Sequence, residues 1–135
     1  MLTDKLKVGD HLQDWVVKIT PELNNQILDS IHCDRPIYRI FIHPALLVGF
    51  SNITRSPSFQ LEDNVAAVHV QDELEYHKLG IVGDTIRITW LITDIFHRRD
   101  RNWNDKEYQI AKSLILNSRD EIIAERRMTD YFTRG

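Results

Sequence analysis

Cysteine is nearly missing from this chain. Cys33 is the only one in 135 residues, so no intrachain disulfide can form. That fits a reducing compartment, and we read the protein as cytoplasmic. Glycine and proline are sparse too, at five and four residues, and no repeat or low-complexity tract is present, which excludes fibrous and linker-like architectures. No apolar run approaches the roughly 20 residues of a membrane helix. Met1–Lys7 is charged and lacks the apolar core of a secretion signal. Neither sign of charge is in large excess: the net charge is −3, which argues against a nucleic-acid surface. The six histidines do not cluster with cysteine or carboxylates at ligand spacing, so no metal site is expected. What remains, 42% hydrophobic and 27% charged, is the profile of a globular protein, read as one domain over residues 1–135.

The organising stretch runs from Asp34 to Phe50. Pro36 biases Arg35 toward extended geometry, and the spacing predicts a turn, an extended piece and a helix start. Pro44 suits the first helical turn, where its missing N–H is no loss. From Ala45 to Ile53 only Ser51 and Asn52 are strongly polar. A helix apolar nearly all round is expected to be buried. His32, Asp34, Tyr38 and His43 stand just before it and form the most promising site in the sequence.

Before this stretch, His11–Ile19 reads as a strand, and Thr20-Pro21-Glu22 as a capped helix start. Leu23, Ile27, Leu28 and Ile31 then form an apolar stripe of helical spacing that ends near His32. After a polar loop the period changes. Ala66, Val68, Val70, Leu74 and Tyr76 alternate as a half-buried strand. Gly80 and Gly83-Asp84 make a turn. Ile86, Ile88, Trp90, Ile92 and Phe96 are expected to share one face of the longest strand. Residues 98–106 read as a charged hairpin loop; Tyr108, Ile110, Leu114 and Leu116 as a third strand; Asn117–Asp120 as a turn; and 121–132 as a fourth strand. Helices placed before an antiparallel meander indicate an α+β domain. A long sheet edge needs covering, so a dimer is expected.

At Val8-Gly9-Asp10, Pro36-Ile37-Tyr38-Arg39, His43-Pro44-Ala45-Leu46, and above all from Val68 to Lys78 followed by Gly83-Asp84-Thr85-Ile86, the chain resembles the MaoC-like hotdog dehydratases and hydratases. It is most similar to the N-terminal half or subunit of paired ones. The resemblance implies a hotdog fold, in which an antiparallel sheet wraps around a central apolar helix. It implies hydro-lyase chemistry on an enoyl or 3-hydroxyacyl thioester, with acyl-CoA or another acyl thioester as substrate and no cofactor. It also implies a homodimer, or a heterodimer with a second MaoC-like hotdog chain. In the family an Asp and a His on the loop before the helix manage the water and the α-proton. A backbone N–H at the helix start receives the thioester oxygen. Here Tyr38 stands where that His belongs, Asp34 lies one residue too close to Pro36, and Pro44 replaces a glycine. The expectation is therefore a subunit contributing fold and thioester binding, with catalytic Asp and His from a partner chain. The alternatives are a self-sufficient homodimeric hydratase or thioesterase, and a non-enzymatic acyl-CoA-binding protein.

The candidate catalytic residues are His43, Asp34 and Tyr38. His43 can titrate near neutrality, or can simply bond a backbone group. Asp34 can serve as acid or base, or can accept a hydrogen bond in its turn. Tyr38 can donate to a thioester oxygen, or can pack with its hydroxyl at the rim. His32 is placed to interact with the end of the first helix. The candidate substrate-binding residues are Ala45 and Leu46 at the helix start, with Arg98, Arg99 and Trp103 in the hairpin loop. Arginines there can grip phosphates or remain solvated surface, and a Trp in a polar loop suggests a ligand or partner contact.

Overall fold

Thr20 and Pro21 open the first helix as the sequence predicts: the Thr20 hydroxyl accepts the Leu23 N–H at 3.1 Å. The computed structural model describes residues 6–134, so the charged N-terminal stretch Met1–Lys7 lies largely outside it. In chain order the elements are β1 (Trp15–Lys18), α1 (Pro21–Ser30), a 3-10 turn (Pro36–Arg39), α2 (Pro44–Phe50) and a second 3-10 turn (Ile53–Arg55). Then follow β2 (Val65–Tyr76), β3 (Thr85–Ile88), β4 (Leu91–Arg99), β5 (Asp105–Leu116) and β6 (Ile122–Arg134). The strands form one six-stranded sheet in the order β1-β3-β5-β6-β2, with β4 also on β5. Every strand pair is antiparallel. Among the described residues β2 pairs only with β6, which leaves its other side a free edge.

The core sits between α2 and one face of this sheet. Leu46, Leu47 and Ile53 pack with Ile86, Ile88, Trp90, Ile92, Ala111, Ile115, Ile123 and Met128. At about 25 cal/mol per Å² of apolar surface, burying such side chains is the main term holding helix to sheet. Gly80 is where the loop before β3 touches this core. A Cβ there would lie 2.8 Å from Ile42 Cδ1 and 3.3 Å from Ile123 Cδ1, so a larger residue would have to push these side-chain ends aside. No helix among the described residues is long and apolar enough to cross a membrane.

Several expectations need correction. The extended piece after Pro36 is a 3-10 turn, and only Phe41 pairs, in a lone bridge with Ile81. The helix after Pro44 is not buried all round: Leu46 and Leu47 are buried, while Ala45 and Gly49 are exposed. Two turns of helix on one side of a sheet present their small residues to solvent. His11 makes only a bridge to Leu91, and β1 begins at Trp15. On α1 the buried residues are Leu28 and the polar Asn24, whereas Ile31 is exposed. The hairpin loop is shorter than read, since β4 runs to Arg99 and β5 starts at Asp105.

The expected longest strand is two segments broken at Thr89–Trp90, where the Thr89 hydroxyl accepts the Leu114 N–H in place of a ladder carbonyl. A bulge between Ile92 and Asp94 then shifts the alternation. Ile95 therefore packs against the core, and Phe96 faces out to stack on Tyr108 at 5.0 Å. A second bulge, between His69 and Gln71, splits β2 in the same way, and Val68, Val70 and Tyr76 are exposed rather than half-buried on one face. On β5 the phase is inverted as far as Ile115: Glu107, Gln109, Ala111, Ser113 and Ile115 are buried, not Tyr108, Ile110 and Leu114, while Leu116 is buried as expected.

Candidate functional site

His43 caps α2. Its Nδ1 accepts the N–H of Ala45 at 3.0 Å, and its backbone carbonyl accepts the N–H of Leu46 at 3.0 Å. With Nδ1 accepting, a neutral ring carries its proton on Nε2. Pro44 has no N–H to give. Every donor in the first helical turn up to Leu46 is thus absent or occupied. The Tyr38 ring lies 4.4 Å from the His43 ring, tilted by 57°. Asn24 holds this arrangement from α1 by donating to the Tyr38 carbonyl at 2.8 Å. A polar residue inside an apolar stripe was the one sequence sign of that tie. Beside this helix start is a pocket of about 300 Å³ lined by Ile42, Pro44, Leu47 and the segment 76–80, which includes His77 and Lys78. Its walls are mostly apolar.

The other end of α2 meets a buried network that sequence reasoning missed. Arg126, only 4% exposed, donates from Nε to Asp72 at 2.8 Å and from Nη2 to the same carboxylate. Its Nη1 reaches the Val48 carbonyl at 2.9 Å and the Ser51 hydroxyl at 3.0 Å. The guanidinium also lies over the Trp90 ring, 5.9 Å from its centroid. This places a cation at the C-terminal end of a helix, where the dipole favours it. Next along the strands, His69 Nδ1 is 2.8 Å from Asp130, and its Nε2 is 3.5 Å from Asp72. These groups stand at the edge of a pocket of about 260 Å³ that also includes Asn52, Thr54, Phe59 and Ala67.

No sequence-family model and no curated protein matches the chain. Its likeness is to solved structures. A MaoC-like dehydratase from Rhodospirillum rubrum superposes with TM-score 0.73 at 15% identity, covering 100% of this chain and 98% of that one. A chain of the ChsH1–ChsH2 complex from Mycobacterium tuberculosis gives 0.68 at 13% identity, with 90% and 83% covered. The (R)-hydratase of A. caviae involved in PHA biosynthesis gives 0.65 at 13% identity, with 93% and 96% covered. The chain has the hotdog fold. The α+β architecture expected from the order of the elements is therefore the one observed, with MaoC-like dehydratases and hydratases as its structural neighbours.

Within the hotdog sheet the sequence-predicted residues fall into separate places. His43, Tyr38, Ala45 and Leu46 come together at the helix start. Asp34 is exposed in the turn before the 3-10 segment, and His32 is exposed just past α1 with φ +54°. Arg98, Arg99 and Trp103 lie on the β4–β5 hairpin. Arg98 covers Phe96 and Tyr108, while Arg99 pairs with Asp105 at 3.1 Å and sits over Trp103, which is 75% exposed. The helix start neighbours Tyr76, at the register of Ala124 and Ile115, whereas the hairpin tip begins ten residues along β5 at Asp105. At about 3.3 Å per residue that is roughly 30 Å, so within one chain the two sets do not meet.

His77, near the end of the Val68–Lys78 segment, bonds Glu125 at 2.8 Å, and Lys112 approaches the same carboxylate at 3.2 Å. These two hydrogen bonds, His77 first, hold the Glu125 carboxyl below its usual range. Glu75, His77 and Glu125 bring three metal-capable atoms within 4.8 Å of one another. This grouping comes from the Glu75–Glu125 strand register, which spacing alone cannot reveal. Lys112 already supplies it with a counter-charge.

Asp130 has the opposite shift. Burial raises its carboxyl above the ordinary value, and the His69 hydrogen bond only partly offsets this. An acid raised in the folded state costs stability wherever it is ionised: the cost is full above the folded pKa and vanishes below the unfolded one. As pH rises from the ordinary carboxylate value through the folded one, the wild type is expected to lose stability relative to Asp130→Asn. Urea midpoints measured in pH steps check this, and parallel curves for the two proteins would contradict it.

Proposed function

We propose that this chain is a subunit of an enoyl-CoA hydratase or 3-hydroxyacyl-thioester dehydratase. It contributes the fold and an acyl-thioester slot, while a second MaoC-like hotdog chain supplies the catalytic Asp and His. The observation that carries this reading is the state of the helix start. Developing charge on a thioester oxygen needs a free donor aimed at it, yet Ala45 N–H is bound to the His43 ring and Leu46 N–H to the His43 carbonyl. The pocket beside α2 retains the apolar walls for an acyl chain. Its structural neighbours include a dehydratase, a hydratase and a chain of a two-protein complex. The free β2 edge, with exposed Val68, Val70 and Tyr76, suits pairing with the second chain.

The test is hydration of crotonyl-CoA by the purified chain, alone and co-expressed with a MaoC-like chain bearing an intact Asp and His. Turnover is expected only from the pair. Strong turnover by the lone chain, abolished by His43→Ala, would overturn the reading. In that same variant the lost cap is expected to reduce stability by about 1 kcal/mol, read from urea unfolding.

A further inference from the structure

Strand register sets two glutamates against each other near the end of β2. Glu75 is the cross-strand partner of Glu125 on β6, and like charges directly opposite one another are destabilising. Two residues along the same face the pair is complementary, with Glu73 opposite Arg127 at 3.9 Å. Glu125 has two partners: His77 Nε2 lies 2.8 Å from one carboxylate oxygen, and Lys112 Nζ lies 3.2 Å from the other. Among the described residues Glu75 makes no ion pair. One ammonium therefore faces two carboxylates, and the group keeps a surplus of negative charge.

The surplus is not a mere acidic patch, because an imidazole nitrogen stands within it. His77 follows Glu75 by two residues and so shares its face, and its N–H binds the Ile123 carbonyl at 2.9 Å, which fixes its backbone beside β6. One ligand atom each from Glu75, His77 and Glu125 lies within 4.8 Å of the other two. Around a tetrahedral zinc ion such atoms stand about 3.3 Å apart, so the adjustment needed is within the reach of side-chain rotation. Glu75, Glu125 and Lys112 line an open hollow of about 370 Å³, which gives an ion access from solvent. One imidazole and two carboxylates suit Zn²⁺, whereas Mg²⁺ favours oxygen ligands alone.

We propose that Glu75, His77 and Glu125 form a site for a divalent cation of the zinc type, which staples β2 to β6. On binding, the His77–Glu125 hydrogen bond gives way to two bonds to the metal, Glu75 supplies the third, and Lys112 is displaced from Glu125. Three protein ligands leave the fourth position to water. The site is independent of the thioester reading. Arg126 reaches the Val48 carbonyl on α2, so its neighbour Glu125 points to the opposite face of the sheet.

Calorimetry on the untagged full chain tests it, with Zn²⁺ and Mg²⁺ as the probes in metal-free buffer. Zn²⁺ is expected to bind and to raise the melting temperature, with Mg²⁺ much weaker. Glu75→Gln and His77→Ala should each weaken zinc binding about tenfold or more. Because Glu75 makes no ion pair and faces a like charge, Glu75→Gln should leave the metal-free protein as stable as before, so lost binding cannot be ascribed to unfolding. Lys112→Met removes the competing cation and should tighten binding about tenfold. Absence of zinc binding, or zinc affinity unchanged in both Glu75→Gln and His77→Ala, overturns the site. Equal affinity for Mg²⁺ overturns the role of the imidazole, and weaker binding by Lys112→Met overturns that of the lysine.

Discussion

Replacing Arg126 with methionine is expected to destabilise the protein by about 3 kcal/mol, with Asp72 as the cause. Arg126 is a buried cation whose three nitrogens all donate: Nε and Nη2 to Asp72, and Nη1 to the Val48 carbonyl and the Ser51 hydroxyl. Removing one member of such a pair leaves the other charge desolvated and uncompensated, which typically costs 3–5 kcal/mol. The Asp72 side chain keeps 20% of its exposure, so water recovers part of the loss and the lower end applies. The pair itself adds far less net stability, because both ions lose hydration on burial. The double variant Arg126→Met, Asp72→Leu should therefore regain most of the deficit, a coupling that a double-mutant cycle in urea measures directly. A single variant within 1 kcal/mol of wild type would show that Asp72 is not left uncompensated when Arg126 is removed.

Trp90→Ala is expected to cost about 3–5 kcal/mol, the usual range for deleting a fully buried aromatic ring. Trp90 is 0% exposed, packs within the α2–sheet core, and donates from Nε1 to the Ser51 carbonyl at 2.8 Å. Two losses combine: a cavity under α2, and a buried carbonyl with one partner fewer. Trp90→Phe separates them, since it keeps most of the ring but not the donor. A deficit of about 1–2 kcal/mol for Phe would assign that share to the hydrogen bond. Arg126 and Trp90 both converge on Ser51, one through the hydroxyl and the other through the carbonyl. Their effects should therefore not add, and thermal unfolding of the double variant tests that.

The sequence carried the order of the elements because local chemistry set it. Thr20 caps α1 through its own side chain, and Pro44 fits the first turn of α2 whatever surrounds it. The strand faces were less legible. A period of two tells which residues share a face, not which face points inward. On β5 apolar character favoured Tyr108, Ile110 and Leu114, but the core side carries Gln109 and Ser113. The outer side keeps its rings because Phe96 stacks on Tyr108 and Tyr131 meets Tyr108 at a tilt, with Arg98 over Phe96 and Tyr108 and Lys106 over Tyr131. The helix-start site was legible as a cluster: His43 and Tyr38 are neighbours, as their spacing suggested. What His43 does there was not, since its hydrogen bond to Ala45 depends on one side-chain rotamer. Nor was the pairing of His69 with Asp130 visible, because strand register joins residues 61 positions apart.

The extra residue at Val70 gives β2 an asymmetry along its free side. A regular strand offers any incoming strand a choice of alignments two residues apart, all nearly equal in hydrogen bonding. An insertion in the ladder bends the chain locally and breaks that equivalence. Whatever strand docks on β2 can therefore slide only until it reaches Val70, which acts as a detent fixing which of its residues come to rest against His69.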